Sequence, residues 1–174
     1  MYPYYQPLDL VLDHHDWRFL NFLSHRYLNE AYHYEVNGYV FTGYSQFFLR
    51  DATEDYRDQK LFEKISNLFV SDSLYSDPNH VYQWSQVSTI PGSLPIHTDT
   101  RTAVISIPIV TFTAPVVWYD DQENALCSYD YDGVASLINT SITHGLPHNT
   151  TRRIFLQVGG MRESYDDCLS QLKK

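Results

Sequence analysis

The sequence predicts a mainly β fold, a sandwich or barrel with helices packed on its outside. Two patterns predict it. From about residue 80 onward, short runs rich in β-branched and aromatic residues alternate with Pro, Gly, Asp and Asn, over 80–90, 96–110, 115–119, 125–129, 135–142 and 153–158. Before that point, apolar residues recur at spacings of three and four, the period of one helix face. Composition agrees: 16% of the 174 residues are aromatic, with 15 Tyr among them, and aromatics favour pleated, half-buried strands.

Taken in order, residues 13–32 carry Trp17, Leu20, Phe22, Leu23, Tyr27, Leu28 and Ala31 on one helical face, with Asp13 or Asp16 as the cap. Residues 34–41 and 46–49 read as strands around Gly38 and Gly43. A second helix is expected over 54–69, where Tyr56, Leu61, Phe62, Ile65, Leu68 and Phe69 recur and acidic residues stand near the first turn. The β runs follow, and a short helix is expected over 165–172. The length favours one domain. Its expected parts are a helix-rich stretch over 1–79, a β core over 80–160 and a C-terminal helix over 161–174.

The balance of 43% hydrophobic and 19% charged residues is that of a globular chain. A formal net charge of −9 and the absence of any Lys or Arg run argue against a nucleic-acid face. Cys127 and Cys168 form no metal or redox pattern and read as free thiols of a reducing compartment. No apolar stretch approaches the ~20 residues of a membrane span. Met1-Tyr2-Pro3-Tyr4-Tyr5 has neither the basic start nor the apolar run of a signal peptide. A soluble, cytoplasmic protein without a membrane partner is the expectation.

Chemistry concentrates in two segments. In Leu94-Pro95-Ile96-His97-Thr98-Asp99, a strand would point His97 and Asp99 to one face and let them chelate one metal. In the second, His144-Gly145-Leu146 is followed by a polar turn and then by Arg152-Arg153 opening an apolar run. Two His and one carboxylate on one side of a metal leave positions open for a chelating co-substrate and dioxygen. His148 rivals His144 as the third ligand. Arg152 rivals Arg153: in a strand, Arg153, Phe155 and Gln157 share one face, and Arg152, Ile154 and Leu156 the other.

This order of HxD, distal His and then Arg resembles the 2-oxoglutarate/iron(II)-dependent dioxygenase superfamily. The portion from Asn139-Thr140 through His144-Gly145-Leu146 to Arg153 is similar to its aspartyl/asparaginyl and prolyl hydroxylase-like branches. The resemblance covers about residues 81–160; the N-terminal part resembles no family we can name. It implies a double-stranded β-helix, the cupin-like jelly roll. It implies iron(II) held by His97, Asp99 and His144, and 2-oxoglutarate anchored through its distal carboxylate by Arg153. It favours His144 over His148 and Arg153 over Arg152. The implied activity is hydroxylation of an amino-acid side chain, in a peptide or free, or of a small metabolite, with O2 consumed and succinate and CO2 released. One departure stands out: Phe155 occupies a position where the family often has a small hydroxyl residue.

Several residues carry milder expectations. Tyr119 and Ser106 are candidate hydroxyl contacts to 2-oxoglutarate. Arg101 reads either as a contact to an acidic ligand or as a rim salt bridge. Trp84, Gln86 and Trp118 read as packing or pocket lining. His14-His15-Asp16 reads as a helix start, since neighbouring helical positions do not face each other. The alternative function is a cupin-like metal-binding protein or isomerase without oxygenase activity. Such a protein has no need of a carboxylate clamp nine residues after its last ligand, so Arg153 separates the two.

Overall fold

The computed structural model describes residues 3–27, 34–36, 39–41, 45–90, 93–110, 115–130, 132–147, 152–161 and 163–173. In chain order its elements are β1 (Tyr5–Pro7), α1 (His14–Tyr27), β2 (Tyr34–Val36), β3 (Tyr39–Phe41), β4 (Ser45–Phe48), α2 (Lys60–Ser66), α3 (Pro78–Gln83), β5 (Ser85–Ile90), β6 (Leu94–His97), β7 (Ala103–Pro108), β8 (Val116–Tyr119), β9 (Ala125–Tyr129), β10 (Ser136–Asn139), β11 (His144–Leu146), β12 (Arg153–Met161) and α4 (Tyr165–Ser170).

The strands form a six-stranded sheet in the order β1-β10-β7-β12-β5-β4 and a four-stranded sheet in the order β6-β11-β8-β9; β2 and β3 pair by themselves. From β5 to β12 the chain passes back and forth between the two larger sheets, and every pairing is antiparallel. That winding is a double-stranded β-helix, the mainly β jelly roll with flanking helices that was expected.

Alternation along β12 positions everything else. Ile154, Leu156 and Val158 point to the helix side. There they pack with Val87, Ile105, Ile107 and Leu137 against Leu20 and Leu23 of α1 and Leu61, Phe62 and Ile65 of α2. Phe155 points the other way. It joins Ile90, Val104 and Ile138 in a second cluster with Val116, Trp118 and Leu146 of the smaller sheet. The large sheet is therefore buried on both faces, with helices outside and the smaller sheet inside. No helix among the described residues is long and apolar enough to cross a membrane.

Several boundaries differ from expectation. The helix expected over 13–32 starts as foreseen: Asp13 Oδ1 accepts from the N–H groups of His15 and Asp16, and Asp16 Oδ2 accepts from Asp13 N. Its described part ends at Tyr27, and residues 28–33 lie outside the described residues. The helix expected from residue 54 begins only at Lys60. Asp55 accepts from the Arg57 backbone N–H at 3.1 Å, a local turn that competes with the helix. Residues 80–83 are helical, not extended: Asp77 caps Asn79 N and Pro78 opens the first turn. The expected strand 96–110 is broken over 98–102, and the C-terminal helix stops at Ser170. There Leu172 leaves it to bridge Phe69.

Candidate metal centre

β6 and β11 lie side by side in the smaller sheet, with His97 and His144 directly opposite each other. Their ring centroids are 4.5 Å apart. Asp99 lies beyond the end of β6, so strand alternation is not what aims it. Its backbone N–H donates to Thr140 O at 3.0 Å, while Thr140 N donates to Thr102 O and Thr140 Oγ1 to Arg101 O. The loop over 98–102 is thus stitched to residue 140, and the Asp99 carboxylate reaches His97 Nε2 at 3.6 Å. One donor atom from each of His97, Asp99 and His144 lies within 4.8 Å of the others.

The imidazoles are oriented alike. His97 Nδ1 is 2.7 Å from Pro95 O and His144 Nδ1 is 2.9 Å from Ile142 O. A backbone carbonyl only accepts, so Nδ1 carries the proton in each ring and the Nε2 lone pair is left for a ligand. Burial pushes the His144 pKa below its usual value, and the neighbouring His97 pushes the same way against the Ile142 carbonyl and Asp99. The shift favours the neutral ring, the form in which an imidazole binds a metal. His144 is buried, whereas His97 and Asp99 are partly exposed, so the centre opens on one side. Two imidazoles and a carboxylate suit iron(II), among other divalent ions.

Arg153 opens β12 and is fully buried; its Nη2 donates to Pro147 O at 2.7 Å. Pro147 directly follows β11, so the buried guanidinium sits at the far end of the strand that begins with His144. Arg152 lies outside the strand and is exposed. His148, the rival ligand, lies outside the described residues, as does His33.

The milder candidates divide. Trp118 is fully buried, donates to Asn139 O and stacks on Tyr5, so it packs the core. Trp84 packs on the helix side and carries the Arg50 guanidinium over its ring. His14 and His15 belong to the first turn of α1 and are exposed. Tyr119 is held through its backbone, which donates to Thr143 O. Ser106 and Gln86 are fully buried on the inner face of the large sheet, in register with Gln157 between them. Asp120 forms a turn, accepting from Gln122 N and Asn124 N.

One residue of the site escaped the sequence reading. Gly159 lies in β12 where the Arg101 side chain crosses it: a Cβ there would stand 2.8 Å from Arg101 Nη1. The pair Gly159-Gly160 inside a β run is the signal for such a close approach.

No protein-family profile matches the chain, and no curated protein matches it in sequence. Solved structures do. A viral collagen prolyl hydroxylase from Paramecium bursaria Chlorella virus-1, in complex with 2-oxoglutarate, matches with a TM-score of 0.50 at 14% identity, over 90% of this chain and 94% of that one. A Pseudomonas putida prolyl-4-hydroxylase matches with a TM-score of 0.53 at 12% identity, over 91% and 93%. At these identities the likeness establishes the shared fold: the chain is a double-stranded β-helix of the kind found in these prolyl hydroxylases.

Proposed function

We propose that the chain is an iron(II)- and 2-oxoglutarate-dependent oxygenase that hydroxylates an amino-acid side chain, in a peptide or free, or a small metabolite. The observation that carries this reading is the pairing of two features in one interior. His97, Asp99 and His144 converge with both Nε2 lone pairs available, and a buried guanidinium stands one short strand away. The two structural neighbours are named as prolyl hydroxylases, and one of them holds 2-oxoglutarate, which supports the same class.

In this reading His97 Nε2, His144 Nε2 and an Asp99 oxygen would hold the metal from one side. Arg153 would take the distal carboxylate of 2-oxoglutarate through its planar fork of donors. Bound iron would supply the dioxygen chemistry, in which 2-oxoglutarate, O2 and a C–H group give succinate, CO2 and a C–OH group. The protein's own work is positional. The carbonyls of Pro95 and Ile142 fix the ring tautomers, Thr140 fixes Asp99, and the Phe155 side of β12 walls the interior from the helix layer. A metal-binding protein without oxygenase activity has no need of a carboxylate clamp nine residues after its last ligand.

The test is anaerobic addition of iron(II), then of 2-oxoglutarate, to metal-free protein, watched in the visible range. A saturable charge-transfer band that His144→Ala abolishes is the expected result. Bound metal without a band would leave the isomerase or metal-binder alternative, and no metal binding would overturn both.

A further inference from the structure

We infer that Arg101 is the recognition element for the primary substrate, and that this substrate carries a carboxylate. The inference rests on the oxygenase reading and deepens it. Arg101 is pinned by its backbone, whose carbonyl accepts from Thr140 Oγ1. Its guanidinium then leaves the metal loop and crosses to β12, where Gly159 makes room for it. Among the described residues its one hydrogen bond is a long contact of 3.4 Å to Asp99 Oδ2. That contact is an ion pair made by one end of the guanidinium, and the side chain keeps 26% of its surface exposed, so part of its donor fork stays open.

Charge decides what such an arginine awaits. Once Asp99 shares its charge with a divalent metal, it would neutralise the guanidinium less. A planar fork of donors in that position calls for an anion with two oxygens. In the proposed reading the co-substrate's distal carboxylate is taken by Arg153, at the far end of β11. The remaining cation is therefore matched to a second carboxylate, that of the molecule to be oxidised.

The floor beside Arg101 adds the neutral half of the recognition. Gln157 lies two residues before Gly159 in a strand paired on both sides, yet it is only partly buried. Its helix-side neighbours Leu156 and Val158 are fully buried, so the exposure comes from the inner face. Gln86 Nε2 donates to Gln157 Oε1 at 2.9 Å; among the described residues, Gln86 Oε1 and Ser106 Oγ have no hydrogen-bond partner. Buried polar atoms are rarely left unpaired. Gln157, the partly exposed member of this row, would meet an uncharged amide or hydroxyl group of the same ligand while its carboxylate lies on Arg101.

The experiment uses anaerobic full-length protein loaded with iron(II) and 2-oxoglutarate, with the visible band as readout. The probes are the free amino acids, each beside its α-amide. In wild-type protein at least one free acid should perturb the band, and its amide should do so far more weakly. Arg101→Gln should raise the half-saturating concentration of that acid by about tenfold or more, the loss of a charge-assisted pair, while that of 2-oxoglutarate moves by less than about twofold. Gly159→Ala keeps the charge but pushes the guanidinium off its seat, and should weaken the acid in the same direction. Three results would overturn the inference: acid and amide acting alike, Arg101→Gln weakening 2-oxoglutarate as strongly as the acid, or no free acid perturbing the wild-type band. Absence of any band in wild-type protein is a different failure, that of the oxygenase reading itself.

Discussion

His144 is the most enclosed of the three proposed ligands and Arg153, among the described residues, the most enclosed cation, and they stand at opposite ends of β11. Each can be tested singly. His97→Ala or Asp99→Ala should abolish iron retention, measured as metal content after anaerobic gel filtration; full retention in both variants would sink the ligand assignment. Arg153→Ala should leave iron in place and raise the half-saturating 2-oxoglutarate concentration by about tenfold or more. Arg152→Ala, at an exposed position before the strand, should change neither. If the two arginine variants exchange these outcomes, the clamp is Arg152. Much of this was legible in the sequence, because HxD and a later His followed by Arg are local patterns with few uses. The aim of Asp99 was not legible. It depends on a backbone bond to Thr140, forty-one residues away and invisible to any local periodicity. Nor was the seat of Arg101, since a glycine announces close approach without saying by what.

Among the elements, α1 and α2 are joined by a charged clamp. Lys64 Nζ donates to Asp13 Oδ2 at 2.8 Å and to Asp16 Oδ2 at 2.5 Å, so one α2 side chain braces the cap of α1. Lys64 beside it, with the backbone N–H groups of Asp16 and His15, holds the Asp13 carboxyl well below the usual carboxylate range. A depressed carboxylate contributes stability above its unfolded pKa of about 4 and loses it as the pH falls further. Lys64→Met should therefore lower the thermal midpoint at pH 7, and the gap from wild type should narrow at about pH 3 and below. A gap that is constant with pH, followed by circular dichroism, would mean that Lys64 acts through packing. The start of α1 was readable because a cap and its partner are three residues apart. The late start of α2 was not, because a local Asp55–Arg57 turn outcompetes a sequence whose spacing suits a helix. The strand expected at residue 80 failed for a similar reason: Asp77-Pro78 is a helix opening that the β-branched and aromatic content around it obscured.

At the scale of the molecule, the large sheet separates two jobs. Its helix-side face holds the bulk of the hydrophobic core, and its inner face holds the arginine, the polar row and the approach to the metal ligands. Leu156→Ala removes a fully buried side chain from the helix-side face and should cost about 2–5 kcal/mol in urea unfolding. The fraction that stays folded should still bind 2-oxoglutarate with unchanged half-saturation. Leu126→Ala, at an exposed position, should stay within about 0.5 kcal/mol of wild type. If Leu156→Ala instead shifts 2-oxoglutarate binding severalfold, the two faces are mechanically coupled through β12.

The pairing of His97 with His144 across two hydrogen-bonded strands bears on how the proposed site would hold a metal. The bite of this ligand pair is set by the spacing of an antiparallel ladder, not by the reach of flexible side chains. β11 is held in the middle of its sheet, between β6 and β8, and a Cβ on Gly145 would already touch Ile96 Cα and Leu94 O at 3.4 Å. Pairing on both sides of β11 would resist a change in that spacing. A slip of one residue would not widen the bite; it would turn one imidazole to the opposite side of the sheet and erase it. In the proposed site, backbone hydrogen bonds that exist before any ion arrives would set the spacing of the two imidazoles.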